Sequence, residues 1–240
     1  MRRRSMLALL PALAVLLAGH AATAQSPTVD EIIARNIEAK GGMARIQDVE
    51  SIRQTAQFTV QGIVGELTVY SMRPNLMRQE MRVGSETIIN GFDGETPWMV
   101  NPMSGTSQAT VVTGPQAEMI RRSAAFDGPL VNHKARNITA TLEGAETIDG
   151  RPTHHLRLTH PDGQVQHIYI DQETALETRI VSEAPEGSVE QRLSDFRQVD
   201  GVTLPFAVQV VTGGTVTGSM KVQQVELNPS FDVSLFRIPR

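Results

Sequence analysis

A chain of 240 residues with a formal net charge of −4 and no cysteine is long enough to hold its own core without disulfides. The acidic balance argues against nucleic acid and against anionic membrane surfaces as partners. The missing cysteine also removes any lipid anchor of the lipobox kind and any thiolate metal set.

The chain opens with Arg2, Arg3 and Arg4, an apolar run from Met6 to Ala18, and small residues ending in Ala22-Thr23-Ala24. That order is a secretory signal peptide with an A-x-A cleavage site. The expected division is therefore 1–24 as signal peptide, cleaved near Ala24/Gln25, and 25–240 as one periplasmic domain. Arg3-Arg4 also fits a twin-arginine signal, so the sequence leaves the export route open. No later stretch approaches the roughly 20 apolar residues of a membrane span, and an integral membrane protein is not expected.

A helix follows. Thr28 or Asp30 serves as its N-cap, Ile32, Ile33 and Ile37 recur at helical spacing, and Gly41-Gly42 ends it. Met43 to Val49 adds a short turn. From Ile52 the period changes to two, with Ile52, Ala56, Phe58 and Val60 alternating with polar residues. Similar runs follow at about 63–72, 76–83, 86–92, 96–100 and 107–113. A helix at about 115–125 interrupts them, with Pro115 in its first turn and Met119, Ile120 and Ala124 on its apolar side. Runs resume at about 137–143, 153–160, 164–171, 175–183, 188–198, 202–211 and 214–227. Pro161-Asp162-Gly163, Asp149-Gly150 and Asp200-Gly201 read as hairpin turns. Turn signals every ten residues or so predict an antiparallel meander. The fold class is α+β: one curved sheet with helices against one face.

Chemistry-bearing patterns are few. His154, His155, His160 and His167 cluster in HHLRLTHPDGQVQH, but His154 and His155 are strand neighbours and point to opposite faces. His155 and His167 lie on paired hairpin strands and can approach each other. A zinc site needs three or four ligands, so no metal and no other cofactor is expected. There is no G-x-S-x-G elbow and no phosphate loop, since Gly213-Gly214 joins two β runs. Carboxylate pairs such as Glu183/Glu186 read as solvated acids, Arg78, Glu80 and Arg82 as a charge ladder on one strand. Asn137-Ile138-Thr139 matches a glycosylation sequon, a weak signal. No catalytic activity is expected.

Five of the ten methionines fall between positions 72 and 103, and aromatics make up 4% of the chain. Methionine is flexible and polarizable, and it fills cores or lines surfaces that accept varied apolar partners. Trp98, the one tryptophan, reads as a core anchor or as part of a pocket wall.

The segments GFDGETPWMVNPMSG (91–105), FDGPLVNHKA (126–135), LRLTHPDGQVQHIYID (156–171), LSDFRQVDGVTLPFAVQV (193–210) and VELNPSFDVSLFRIP (225–239) together resemble the exported outer-membrane lipoprotein-sorting proteins, akin to the periplasmic lipoprotein carrier of the LolA type. The resemblance covers nearly all of 25–240 in segment order. It implies an incomplete β-barrel of about eleven antiparallel strands, with helices covering the concave face over an apolar cavity. It also implies a non-catalytic carrier of lipoprotein acyl chains or another lipid. The carrier's functional arginine matches no single residue here. The expected cavity lining is Leu67, Val69, Met77, Met81, Trp98 and Met99. The alternative is an envelope protein-interaction or scaffold module of the same fold with a filled core. A hydrolase is a third reading, for which the sequence nominates no residue.

Overall fold

The computed structural model describes residues 26–183 and 187–239. The expected signal segment 1–24 lies outside the described residues.

Helix α1 (Val29–Ala39) begins with a capping box. The Thr28 hydroxyl accepts from the Glu31 backbone N–H at 3.3 Å, and the Glu31 carboxylate accepts from the Thr28 N–H at 2.7 Å. Two of the orphan donors of the first turn are thereby satisfied. Gly41 and Gly42 end the helix, both at positive φ. A Cβ on Gly41 would stand 2.2 Å from the Gly201 carbonyl oxygen, so only glycine fits this approach. The short helix α2 (Met43–Gln47) follows.

Thirteen strands come next: β1 (Ser51–Val60), β2 (Ile63–Met72), β3 (Leu76–Val83), β4 (Glu86–Phe92), β5 (Pro97–Asn101) and β6 (Thr106–Val111), then β7 (Thr139–Ile148), β8 (Arg151–Thr159), β9 (Val165–Asp171), β10 (Glu177–Ser182), β11 (Val189–Val199), β12 (Val202–Thr212) and β13 (Thr215–Leu227). Helix α3 (Gly114–Ser123) separates the two groups. All pairings are antiparallel, in the order β6-β5-β4-β3-β2-β1-β13-β12-β11-β10-β9-β8-β7. The two halves of the chain join where β1 pairs β13, and β6 and β7 are unjoined edges, so the sheet is open. Each of the thirteen alternating runs in the sequence is a strand. The count of about eleven implied by the resemblance is corrected to thirteen. The run at 137–143 starts two residues late and continues to Ile148, past a bulge between Leu142 and Gly144.

Both longer helices pack on the same face of the sheet, called the inner face below, at opposite ends. Under α1, Ile32, Ile33 and Ile37 bury against Leu156, Leu158, Ile168 and Ile170 of β8 and β9, with Leu130 and Ile138. Under α3, Ala117, Ile120 and Ala124 bury against Met77, Phe92 and Val112, with Met99 alongside. Burial of each large aliphatic or aromatic side chain is worth about 1.5–3 kcal/mol, so each helix is fixed by its own cluster.

On the opposite, outer face, Trp98 is fully buried. Its indole lies over Gly91, where a Cβ would stand 2.1 Å from a ring carbon. Its N–H donates to the Phe236 carbonyl at 2.8 Å. Phe236 belongs to a 3₁₀ turn at Val233–Phe236, and Phe231 packs edge-on to both Tyr70 (5.6 Å) and Phe236 (6.0 Å). The C-terminal segment is thus clasped to the outer face by aromatic contacts.

Candidate functional site

Between the two helix-bearing ends, the inner face keeps two hollows. The smaller, about 130 Å³, is apolar. Its sheet wall is Ile52 of β1, Val202 and Leu204 of β12 and Leu227 of β13; Ile46 and Val49 close one side, and Phe126, Gly128 and Val131 cross above. The register explains the wall: Ile52 pairs Leu227 across β1 and β13, so their side chains share a face. The turn before α2 shuts one end. There the Thr203 N–H donates to the Lys40 carbonyl at 3.0 Å, and Arg45 Nε donates to the Asp200 carbonyl at 2.6 Å.

Lys40, in the wall of this cavity, is paired with a carboxylate behind it. Lys40 Nζ lies 2.9 Å from Glu177 Oε1, and both side chains are largely buried. Burial pushes the Glu177 carboxyl up. The Lys40 charge and hydrogen bond, together with the Asn36 amide, outweigh this and hold it below its ordinary range.

The crossing segment is held by Arg73. Its Nη1 and Nη2 bond both carboxylate oxygens of Asp127, at 2.7 and 2.8 Å. Its Nε donates to the Val49 carbonyl at 2.8 Å and Nη2 to the Ile46 carbonyl at 3.0 Å. The guanidinium also sits 4.5 Å over the Phe126 ring. A planar fork is the group that can bind a carboxylate with two parallel bonds and still reach two carbonyls. The Asp127 hydrogen bonds raise the Arg73 pKa further.

The larger hollow, about 510 Å³, is an open polar groove between the C-terminal half of α3, the 125–129 segment and the β8–β9 hairpin. Gln166, Ser182 and Gln191 form its floor, with Arg122, Arg136 and His160 around it. His160 Nε2 and Gln166 Oε1 are 2.7 Å apart, and Gln166 Nε2 donates to Ser182 Oγ at 3.1 Å. Asp127 and Gly128 line both hollows, so the segment fastened by Arg73 is the partition between an apolar and a polar compartment.

The six residues expected to line a cavity divide between the faces. Leu67 pairs Met81, Val69 pairs Gln79, and Met99 pairs Asn90, which pairs Gln79. With Met77 these five lie on the inner face. Met77 is buried in the α3 cluster and Met99 packs against it. Trp98, adjacent to Met99, faces outward. None of the six lines the 130 Å³ cavity. The hollow is instead lined by residues outside the expected set, among them Lys40, Phe126, Asp127 and Leu204, and Arg73 fastens Asp127 from beside it. The one cue for Arg73 and Asp127 is that both stand in turns among apolar neighbours.

On the outer face His155 and His167 do meet, Nε2 to Nδ1 at 2.8 Å, flanked by Glu146 at 2.8 Å and Glu183 at 3.0 Å. Among the described residues no group of three or more His, Asp or Glu is placed to hold a metal ion. The Arg78–Glu80 and Arg82–Glu66 pairs form the charge ladder of β2 and β3.

No family model matches the sequence, and no curated protein matches it. Solved structures match the fold. A DUF1329-family protein from Desulfovibrio piger superposes with a TM-score of 0.61 at 12% identity, over 88% of this chain and 98% of the other. A LolA-superfamily protein from Nitrosomonas europaea gives 0.59 at 16% identity, over 88% and 98%. A domain described as an outer-membrane lipoprotein-sorting protein from Vibrio parahaemolyticus gives 0.58 at 9%, over 84% and 93%. The class these define is an open antiparallel sheet of the LolA-like kind. At these identities the likeness is one of fold.

Proposed function

We propose that the protein is a non-catalytic periplasmic carrier that shelters the apolar part of an amphiphile, either the acyl chains of a lipoprotein or another lipid. The observation that carries this reading is the apolar cavity on the inner face, roofed by a segment that Arg73 and the buried Leu130 hold down. An acyl chain costs about 0.8 kcal/mol per methylene to leave in water, so a shelter that opens is all such a carrier needs. The cavity as it stands has room for about four waters at ~30 Å³ each. A full tail therefore requires the 126–131 segment to lift. Lifting it joins the cavity to the half-buried Phe58, Val208 and Met220 on the middle strands.

The fold match to a lipoprotein-sorting domain and a LolA-superfamily protein supports the same reading. Among the described residues no helix is long and apolar enough to cross a membrane. Delipidated protein titrated with a fluorescent fatty-acyl probe should show saturable uptake, and the freshly purified protein should carry lipid by mass spectrometry. Failure of both measurements removes the proposal.

The scaffold reading draws on one observation, the burial of Met77, Phe92 and Leu67 among the chain's own side chains. It requires one fixed protein complex on crosslinking in the envelope, where the carrier reading requires lipoproteins.

A further inference from the structure

Four of the large apolar residues exposed to solvent sit together at one end of the sheet. Val60 (47% exposed), Ile63 (53%) and Val64 (55%) form the β1–β2 hairpin end, and Val216 (50%) stands at the β12–β13 end. The two ends are neighbours, because β1 pairs β13 and the Gln61 N–H donates to the Thr217 carbonyl. The β12–β13 hairpin runs past the level of Val60, which pairs Gly218, to a turn at Gly213-Gly214. Exposed hairpin ends are ordinarily polar. Here residues 54–65 and 201–220 contain no charged side chain.

Two further observations bear on what meets this patch. It continues inward: Phe58 pairs Met220, and Met220 pairs Val208, giving a half-buried apolar track from the hairpin ends down the inner face. Its rim is polar and holds both signs, with the Arg82–Glu66 pair and Glu86 on the next hairpin. The patch is made of two neighbouring hairpin ends, uncharged and backed by a path for an apolar chain. A protein partner would need a matching surface; a bilayer needs only that small aliphatic side chains reach past the headgroups.

We infer that the β1–β2 and β12–β13 hairpin ends are the surface by which this protein rests on a lipid bilayer, with Val60, Ile63, Val64 and Val216 entering the headgroup layer and the apolar track leading a tail inward. The tail's path rests on the carrier reading; the bilayer contact does not. The recognised surface is zwitterionic lipid, because the chain is net acidic and gains nothing from anionic headgroups.

The test is flotation of the purified protein with phosphatidylcholine vesicles. The protein should float with them, equally at low and high salt, and less with phosphatidylglycerol vesicles. Ile63→Asp combined with Val216→Asp should lower partition about tenfold while leaving the thermal midpoint unchanged, since both side chains are already half in water. As a second readout, an environment-sensitive dye at Gln61→Cys should brighten on vesicles, and one at Glu143→Cys on the edge strand β7 should not. The chain's lack of cysteine makes each label unique. Wild-type protein that stays unbound, a charged variant that floats as well as wild type, or equal brightening at both labels overturns the inference. So does capture by envelope-derived vesicles alone and not by pure lipid, which would mark a protein partner. Probe uptake without vesicles separates the two claims: flotation without uptake sinks the carrier and leaves the contact, and uptake without flotation does the reverse.

Discussion

Replacing Arg73 by Met should loosen the partition of the inner face more than it unfolds the protein. The Arg73 and Asp127 side chains are 21% and 20% exposed, so water screens them partly and the pair cannot be valued as fully buried. Breaking a buried pair costs about 3–5 kcal/mol, and exposed pairs are worth 0–1. With four-fifths burial and two carbonyls losing their donor as well, about 2–3 kcal/mol is expected. In a chain of this size that lowers the thermal midpoint by roughly 5–10 °C. Arg73→Lys should recover less than half, because one ammonium cannot serve both Asp127 oxygens and the Val49 and Ile46 carbonyls together. The decisive assay is hydrogen exchange resolved by segment. Amides at 126–131 should lose protection in the Met variant, while those of β8 and β9 under α1 keep theirs. Uniform loss of protection, or none at 126–131, refutes the view that Arg73 is a main fastening of this segment.

Three other outcomes follow from the same geometry. Lys40→Met leaves the buried Glu177 carboxylate without its cation and should cost about 3 kcal/mol at pH 7. The wild-type carboxyl sits below its ordinary 4.5, so its contribution is whole above that pH and fades as pH falls through the lowered value. In the variant the Lys40 charge and hydrogen bond are gone and burial is opposed only by the Asn36 and backbone hydrogen bonds, so the carboxyl titrates higher than in the wild type and the deficit in urea midpoint should shrink between pH 7 and pH 4; a pH-independent deficit contradicts this. Trp98→Phe leaves the Phe236 carbonyl without its donor in a buried setting and should cost about 1–3 kcal/mol, read by circular dichroism in urea, with the C-terminal segment becoming sensitive to protease. Leu204→Trp narrows the 130 Å³ hollow; this small-to-large change should cost no more than about 1–3 kcal/mol while acyl-probe uptake falls, and full uptake by the variant moves the loading site elsewhere.

Local chemistry made most of the fold legible. Alternation set by side-chain burial is a short-range signal, and it located every strand, with the Asp-Gly pairs at 149–150 and 200–201 marking hairpins through their positive φ. Thr28 and Glu31, three residues apart, fix where α1 starts. The hairpin pairing of His155 with His167 was likewise readable, since twelve residues and one turn separate them. The site was less so. Arg73 and Asp127 are 54 positions apart, and Lys40 and Glu177 are 137 apart; no periodicity connects them, only the order in which thirteen strands happen to lie. Trp98 and Met99 are consecutive strand residues, so the pleat places their side chains on opposite faces of the sheet.

The division of labour along the sheet gives a physical reason for a hollow that is small yet able to grow. Each end of the inner face is closed by its own cluster, α1 over β8 and β9, and α3 over β3 to β5. Those clusters hold the helices without help from the middle strands. The middle is continuous with both ends only through backbone pairing of β2, β1, β13 and β12, which survives whether or not the inner face is covered. A segment lying there can leave by withdrawing one side chain, Leu130, from the α1 cluster, while the α3 cluster stays whole. What returns it is the Arg73–Asp127 pair together with Leu130, which is buried in the α1 cluster away from the hollow. Opening this roof gives up a nearly fixed amount once, the ion pair and the burial of Leu130 together, after which each methylene admitted adds its ~0.8 kcal/mol. Such an arrangement favours long chains over short ones, and probe uptake should rise steeply with acyl length beyond a threshold rather than from the first carbons.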